Sequence, residues 1–242
     1  MAQRVPTTQE HAFGVLQSLE RYNRWMAAHF RPHAGKRMLE VGAGTGNLTA
    51  HFLDCGHVLA VDLSGEFLRE LEARLGGRPG VATEVMDVTA DPDPLGKRTF
   101  ESILCLNVLE HLEDDEAMLR RFHDHLEPGG RLMLLVPAHR ALYGAVDAIV
   151  GHHRRYSRKE LRAKLEEAGF SVTKLRYFNM LGALGWWLNV RVLRRKYLPG
   201  GQSRLLNALV PLLRLEDRIS PPFGLSLIAV AMRTRARPPE RA

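Results

Sequence analysis

The sequence predicts an α/β fold, a doubly wound and mostly parallel sheet with helices on both faces. Three observations predict it. Short apolar runs alternate with helical patterns from residue 37 to residue 177. The first apolar run ends in a glycine-rich turn, Gly42-Ala43-Gly44-Thr45-Gly46, with a helical pattern after it. The chain has 242 residues, 45% apolar and 25% charged, enough to bury such a sheet without disulfide or metal staples.

The elements follow in order. Residues 9–30 carry Phe13, Leu16, Leu19 and Met26 at roughly helical spacing, predicting an N-terminal helix. Strand one is Arg37–Val41, a helix covers 47–55, and strand two covers 57–63. The helix Gly65–Leu75 stops at Gly76-Gly77. Residues 81–86 and 102–106 give strands three and four. A helix over 114–126 opens on acidic residues that suit its dipole. Pro128-Gly129-Gly130 then turns the chain into strand five, 131–136. Residues 157–168 form a helix with Ser157 as N-cap and Glu160 three residues on, a capping box. Gly169 ends it before strand six, 170–177.

After Tyr177 the rhythm breaks. Residues 179–222, rich in Leu, Arg and Trp, predict two or three helices, and 224–232 return to an apolar strand pattern. The expected organisation is one domain over 1–242. It has an N-terminal helical region to residue 36, a core over 37–136 and a further segment over 137–178. A helical insertion over 179–222, the last strand over 223–233 and an Arg/Pro tail over 234–242, expected to be disordered, complete it.

Charge divides the chain unevenly. Of 34 basic and 27 acidic residues, positions 1–185 hold 23 and 24, and positions 186–242 hold 11 and 3. The whole excess of +7 therefore sits in the last 57 residues, which excludes a uniformly basic coat for nucleic acid. Two cysteines, Cys55 and Cys105, form no CxxC pair and point to reduced thiols and a cytoplasmic address. Residues 1–20 lack a secretion signal, and no run of about 18 apolar residues predicts a spanning helix.

The glycine-rich turn is the most informative stretch. In doubly wound sheets ligands sit outside the carboxyl ends of the strands, and glycines there let the backbone approach them. The spacing is GxGxG, with Asn47 where a dinucleotide fingerprint wants its third glycine, and no phosphate loop is present. Asp62 ends strand two, where an acid accepts hydrogen bonds from ribose hydroxyls. Asp87 follows strand three, placed to bond an adenine amino group, and Asn107 ends strand four. Any one of them fits a solvated loop or helix cap equally well; together they argue for a site.

Glu40-Val41-Gly42-Ala43-Gly44-Thr45-Gly46, Val61-Asp62, Met86-Asp87, Asn107-Val108-Leu109-Glu110-His111 and Leu126-Glu127-Pro128-Gly129-Gly130-Arg131 together resemble the ordered motifs of class I S-adenosylmethionine-dependent methyltransferases. The resemblance covers residues 37–136 and the final strands. It implies a Rossmann-like, seven-stranded sheet whose last strand is antiparallel, and S-adenosylmethionine as cofactor. By that resemblance Glu40, Gly42, Ala43, Gly44, Thr45 and Gly46 surround the methionine part and Asp62 holds the ribose. Leu63, Met86, Asp87 and Val88 flank the adenine, and Asn107 faces the amino-acid end. Tyr22 and Trp25 either close over the cofactor or pack in the core.

Transfer of a sulfonium methyl requires positioning more than covalent catalysis. The 11 histidines show no metal-ligand spacing, so no metal is expected. An alcohol acceptor benefits from a general base, and the candidates are His152 first, then His111 and His139. Around them Tyr143, Asp147, Arg154, Arg155, Tyr156 and Trp186 are candidate acceptor contacts, with the two arginines suited to an anion. The bland reading makes the arginines a solvated face and the histidines packing or caps. The stretch from Tyr143 to Tyr156 resembles a methyltransferase subgroup associated with polysaccharide or secondary-metabolite pathways, which implies a small-molecule, sugar or lipid-linked acceptor methylated on oxygen or nitrogen.

Residues 186–197 interleave Trp186, Trp187 and Leu193 with Arg191, Arg194, Arg195 and Lys196, a pattern suited to a lid or to peripheral contact with anionic membrane. Three other functions compete. A nucleic-acid methyltransferase would use the basic end, but the N/D-P-P-aromatic motif is missing where Asn107-Val108-Leu109-Glu110 stands. A catalytically silent cofactor-binding protein and a nicotinamide oxidoreductase are the others, and Asn47 weighs against the last. Oligomeric state leaves no mark in the sequence.

Overall fold

A computed structural model describes residues 19–192 and 201–234. Residues 9–18 of the predicted first helix, 193–197 of the basic stretch and 235–242 of the tail lie outside the described residues. In chain order the main elements begin with α1 (Glu20–Ala28), β1 (Arg37–Val41), β2 (His57–Asp62), α2 (Gly65–Leu75), β3 (Val81–Val85) and β4 (Phe100–Leu106). There follow α3 (Asp115–His125), β5 (Leu126–Pro137), α4 (Ala145–Ile149), α5 (Arg158–Glu167) and β6 (Phe170–Phe178). The insertion carries α6 (Met180–Trp186) and α7 (Gly201–Leu213), and β7 (Ser226–Arg233) closes the sheet.

The seven strands lie in the order β3-β2-β1-β4-β5-β7-β6. Neighbours from β3 to β5 pair in parallel, while β7 runs antiparallel to both β5 and β6. Alternation within each central strand splits the core into two layers. On β5, Leu132, Leu134 and Val136 face one layer and Met133 and Leu135 the other. On β7, Leu227, Ala229 and Ala231 join the first, Ile228 and Val230 the second. Helices cover both faces, so the central strands read as continuous apolar runs.

Most boundaries follow the sequence pattern. Ser64 caps α2 by accepting from the Phe67 amide at 3.3 Å, Asp114 caps α3 through Ala117 at 2.7 Å, and Ser157 and Glu160 form the expected box on α5. The predicted helix over 47–55 is instead a single tight turn, Thr49–His51. An α-helix would keep the His51 carbonyl for the amide of residue 55. Arg31 takes that carbonyl, and the Cys55 amide turns to Phe52 at 2.8 Å. The expected glycine turn before strand five survives as an irregularity inside β5, which already pairs Leu126 with Phe100. The short helix α4 was not foreseen.

Strands β1 to β6 all end at one edge of the sheet. That edge carries Asp62 as the last residue of β2, and Gly42, Met86, Asn107, Ala138 and Asn179 just past β1, β3, β4, β5 and β6.

Candidate active site

The edge begins with the glycine turn. Gly42 and Gly46 sit at φ +72° and +80°, and a β-carbon on Gly42 would lie 2.3 Å from Val108 Cγ2. Only glycine fits both the conformation and the space. The amides of Gly42 and Ala43 donate to the Val61 carbonyl at 2.9 and 3.1 Å. Asp62 then clamps the turn: one carboxylate oxygen accepts from Gly44 N and the other from Ser64 N, both at 2.8 Å. A carboxylate has about four acceptor sites, so this clamp leaves capacity for ribose hydroxyls.

Glu40 lies below the turn, buried, with one carboxylate oxygen unpartnered. Burial, with the charge of Asp62 adding to it, raises its pKa to about 7. An orphaned buried oxygen beside a glycine cradle fits a polar ligand lying over the turn. At the next strand ends Leu63 is 72% exposed, an apolar surface next to Asp62, while Met86 and Val88 are buried beneath. Asp87 is exposed and anchored by Thr89, whose amide and hydroxyl donate to it at 2.9 and 2.6 Å; these bonds lower its pKa.

Tyr22 and Trp25 belong to the packed layer. Trp25 packs at a tilt against Phe178, 4.3 Å between ring centres, and its indole donates to Asp217 at 2.8 Å. Tyr22 is buried against both rings, and its hydroxyl accepts from the Asn179 amide at 3.2 Å. Of the two roles open to them, the structure gives these aromatics the core one.

The acceptor half of the edge starts with two non-glycine residues in left-handed backbone, Asn107 at φ +54° and His139 at φ +62°. Each turns the chain sharply off its strand, a strained conformation that the surrounding packing must hold in place. His139 stacks flat on Tyr177 at 4.8 Å, away from the other candidate bases in its contacts.

The other two bases come together. The rings of His111 and His152 lie 4.7 Å apart and nearly perpendicular. Asp147, wholly buried at the start of α4, holds His152 through Nδ1 at 2.9 Å. Its carboxylate also accepts from Arg155 Nε at 2.8 Å and from Gly144 N at 2.9 Å. The positive charge and these bonds keep the Asp147 carboxyl below its usual range against the opposing pull of burial. Tyr143 supports the loop by donating its hydroxyl to the His152 carbonyl at 2.7 Å. Trp186, on the insertion, lies over the Arg155 guanidinium at 4.6 Å and donates to the Leu142 carbonyl at 3.2 Å.

Two expected acceptor contacts are placed elsewhere. Tyr156 is fully buried, donating to Asp115 at 2.8 Å, and Arg154 pairs with the same carboxylate at 2.9 Å. They tie the loop to α3. Arg155 is also buried and committed to Asp147, so the pair of arginines is spent on internal carboxylates and presents no anion fork.

The residue that sequence reasoning passed over as a site residue is Glu110. It is fully buried beside the two histidines, neither carboxylate oxygen has a hydrogen-bond partner, and burial pushes its pKa up to about 8. One atom each from Glu110, His111 and His152 lie within 4.8 Å of one another. An acid within the apolar run Val108-Leu109-Glu110-His111-Leu112 was the signal available for it.

A doubly wound sheet with its ligand edge opened by a glycine turn and an acid-capped second strand is a nucleotide-binding type of α/β architecture. Residues 9–175 match a family described as a methyltransferase domain, and the chain belongs to it, within the class I S-adenosylmethionine-dependent methyltransferases. The chain is 34% identical over 123 residues to the ubiquinone biosynthesis O-methyltransferase of Xylella fastidiosa, covering 50% of this chain and 49% of that one. It is 29% identical over 182 residues to the ubiquinone/menaquinone biosynthesis C-methyltransferase of Vibrio campbellii, covering 62% and 69%. Its fold is shared with the magnesium protoporphyrin IX methyltransferase of Synechocystis PCC 6803, solved with S-adenosylmethionine bound. That match has a TM-score of 0.55 at 17% identity, over 97% of this chain and 87% of that one. The chain thus spans about half the length of the first of these relatives.

Proposed function

We propose that this chain transfers a methyl group from S-adenosylmethionine to a hydroxyl oxygen of a small or lipid-linked acceptor. The carrying observation is the gathering of Glu110, His111, Asp147 and His152 past β4 and β5, beside the glycine turn that follows β1. When bound, the cofactor supplies a methyl group on a sulfonium, already activated for displacement. Glu40 and the turn from Gly42 to Gly46 would hold its methionine part, and Asp62 its ribose. Leu63, Met86, Asp87 and Val88 would flank the adenine, and Asn107 would face the amino-acid end.

The chain's remaining work is to place the acceptor and remove its proton. An amine needs only to be neutral at attack, whereas a hydroxyl must lose a proton; a buried acid and two imidazoles serve the second need. Asp147 positions His152 for this, held in turn by Arg155 and Gly144. The lipid-linked version draws on the insertion. Leu181, Leu184, Trp187 and Leu188 are exposed on α6 and the turn after it, next to the Trp186 that covers Arg155. The Xylella fastidiosa relative is named as an O-methyltransferase, which supports an oxygen acceptor, whereas the Vibrio campbellii relative is named as a C-methyltransferase.

The test is a labelled-methyl transfer screen across phenols, lipid-linked phenols, lipid-linked sugars, free glycans and RNA. Label on a hydroxyl of a small or lipid-linked acceptor is the expected result. Label confined to RNA, or to nitrogen or carbon, would overturn it.

A further inference from the structure

We propose that Glu110, His111 and His152 form a binding site for one divalent transition-metal ion at the acceptor end of the sheet. The inference deepens the transferase reading and rests on it only for what the ion would do.

Proximity comes first: one ligating atom from each residue lies within 4.8 Å of the other two. Glu110 adds an independent observation. It is wholly buried and both carboxylate oxygens are unpartnered, with His152 Nε2 at 3.8 Å, beyond hydrogen-bond length. A buried carboxylate without a partner is costly, and a cation supplies the missing partner. The guanidinium of Arg155, which could otherwise serve as a cation here, is already committed to Asp147.

The two imidazoles are also prepared as ligands. His152 donates from Nδ1 to the Asp147 carboxylate at 2.9 Å, and His111 Nδ1 meets the Gly151 carbonyl at 3.2 Å. Each contact places the ring proton on Nδ1 and leaves Nε2 with its lone pair. Carboxylate or carbonyl support behind the opposite nitrogen is the usual outer shell of a metal-bound histidine. Two neutral nitrogens and one carboxylate oxygen suit zinc, manganese, iron or cobalt; magnesium and calcium prefer all-oxygen sets. Three protein ligands leave positions open. A hydroxyl bound there would lose its proton to water near neutral pH and present an oxygen nucleophile, the two histidines then assisting as ligands in place of accepting the proton themselves.

The experiment titrates the full-length protein, stripped with chelator, with Zn²⁺ by calorimetry and with Co²⁺ by visible absorption. We expect one ion per chain, with a Co²⁺ spectrum of nitrogen and oxygen ligation and no displacement by equimolar Mg²⁺. Glu110→Gln, His111→Gln and His152→Gln should each weaken Zn²⁺ binding by at least about tenfold, the lower end of what even outer-shell changes cause. Circular dichroism should stay unchanged, and His111→Gln, at a half-buried position, keeps the test valid if a deeper variant unfolds. Absence of stoichiometric binding, or binding that all folded variants retain within about twofold, would overturn the site. Turnover unaffected by chelator together with no binding would sink the ion and leave the transferase standing. Binding intact with no hydroxyl acceptor methylated would do the reverse.

Discussion

The two halves of the ligand edge are built by different means. From β1 to β3 the contacts are made mostly by backbone: the Gly44 and Ser64 amides on Asp62, and the Thr89 amide on Asp87. Past β4 and β5 the site is made of side chains from separate segments, with Asp147 bonded to Arg155 and His152, and His152 set against His111 and Glu110. A backbone-built half is hard to vary and suits a ligand shared by a whole family. A half assembled from loops can be re-cut without disturbing the sheet, which is where acceptor choice belongs.

If that division is real, the halves should fail independently. His152→Ala should lower turnover by about 10²–10⁴-fold, the usual range for losing proton-transfer assistance. Binding of S-adenosylhomocysteine, followed by calorimetry, should stay within about twofold. A parallel loss of both would break the comparison.

Glu40 tests the first half through pH. Its folded pKa of about 7 lies above the ordinary 4.5, so the folded state holds the proton more tightly than the unfolded one. The sign follows: stability is undiminished below about pH 4.5 and falls as pH rises through 7, by up to about 3 kcal/mol for a gap of this size. Glu40→Gln cannot ionise. It should raise the Tm of the ligand-free protein at pH 8 and change it little at pH 4.5. Equal shifts at both pH values would show that the buried charge is not the cause.

Asp62→Ala is the smaller, opposite probe to His152. It frees two backbone amides and removes the ribose acceptor, so cofactor affinity should fall by about 10–100-fold, one to two charged hydrogen bonds' worth. Turnover at saturating cofactor should remain within about threefold. Unchanged affinity would remove Asp62 from the ribose role.

This contrast also explains what could be read in advance. β1 through β3 follow local pattern, and the motif residues Gly42, Asp62 and Asn107 do end successive strands, because apolar periodicity and turn glycines report on a chain's immediate neighbours. The turn at Thr49–His51 escaped because Arg31, eighteen positions before Thr49, takes a carbonyl a helix would need. Arg154 and Arg155 looked like an anion fork because their partners, Asp115 and Asp147, lie 39 and 8 residues away and are met only in the fold. Glu110 and His152 are separated by 42 positions, so no ligand spacing along the chain could announce their meeting.

The smallest expected effect concerns the insertion, where the acceptor half meets solvent. Among the described residues no helix is long and apolar enough to cross a membrane. Leu181, Leu184, Trp187, Leu188 and Val192 are nevertheless exposed, as are Leu205, Leu209 and Leu212 on α7. Exposed Arg214 and Arg218 flank Leu215 and Ile219, and the last 57 residues carry a net +8 against +7 for the whole chain. An apolar face edged with arginine suits an anionic lipid surface, the apolar part entering the headgroup boundary and the charge adding long-range attraction. The protein should co-sediment with vesicles containing anionic phospholipid and be released by high salt. Leu188→Ser, at a side chain already half-covered, forfeits about half of a full 1.5–3 kcal/mol burial and should weaken partitioning by roughly fivefold. Turnover on a water-soluble acceptor should not change, since Leu188 is not one of the residues that build the histidine cluster. Equal binding to neutral and anionic vesicles would remove the arginines from the contact, and binding to neither would separate this face from the membrane and confine the acceptor half to the loops around His152.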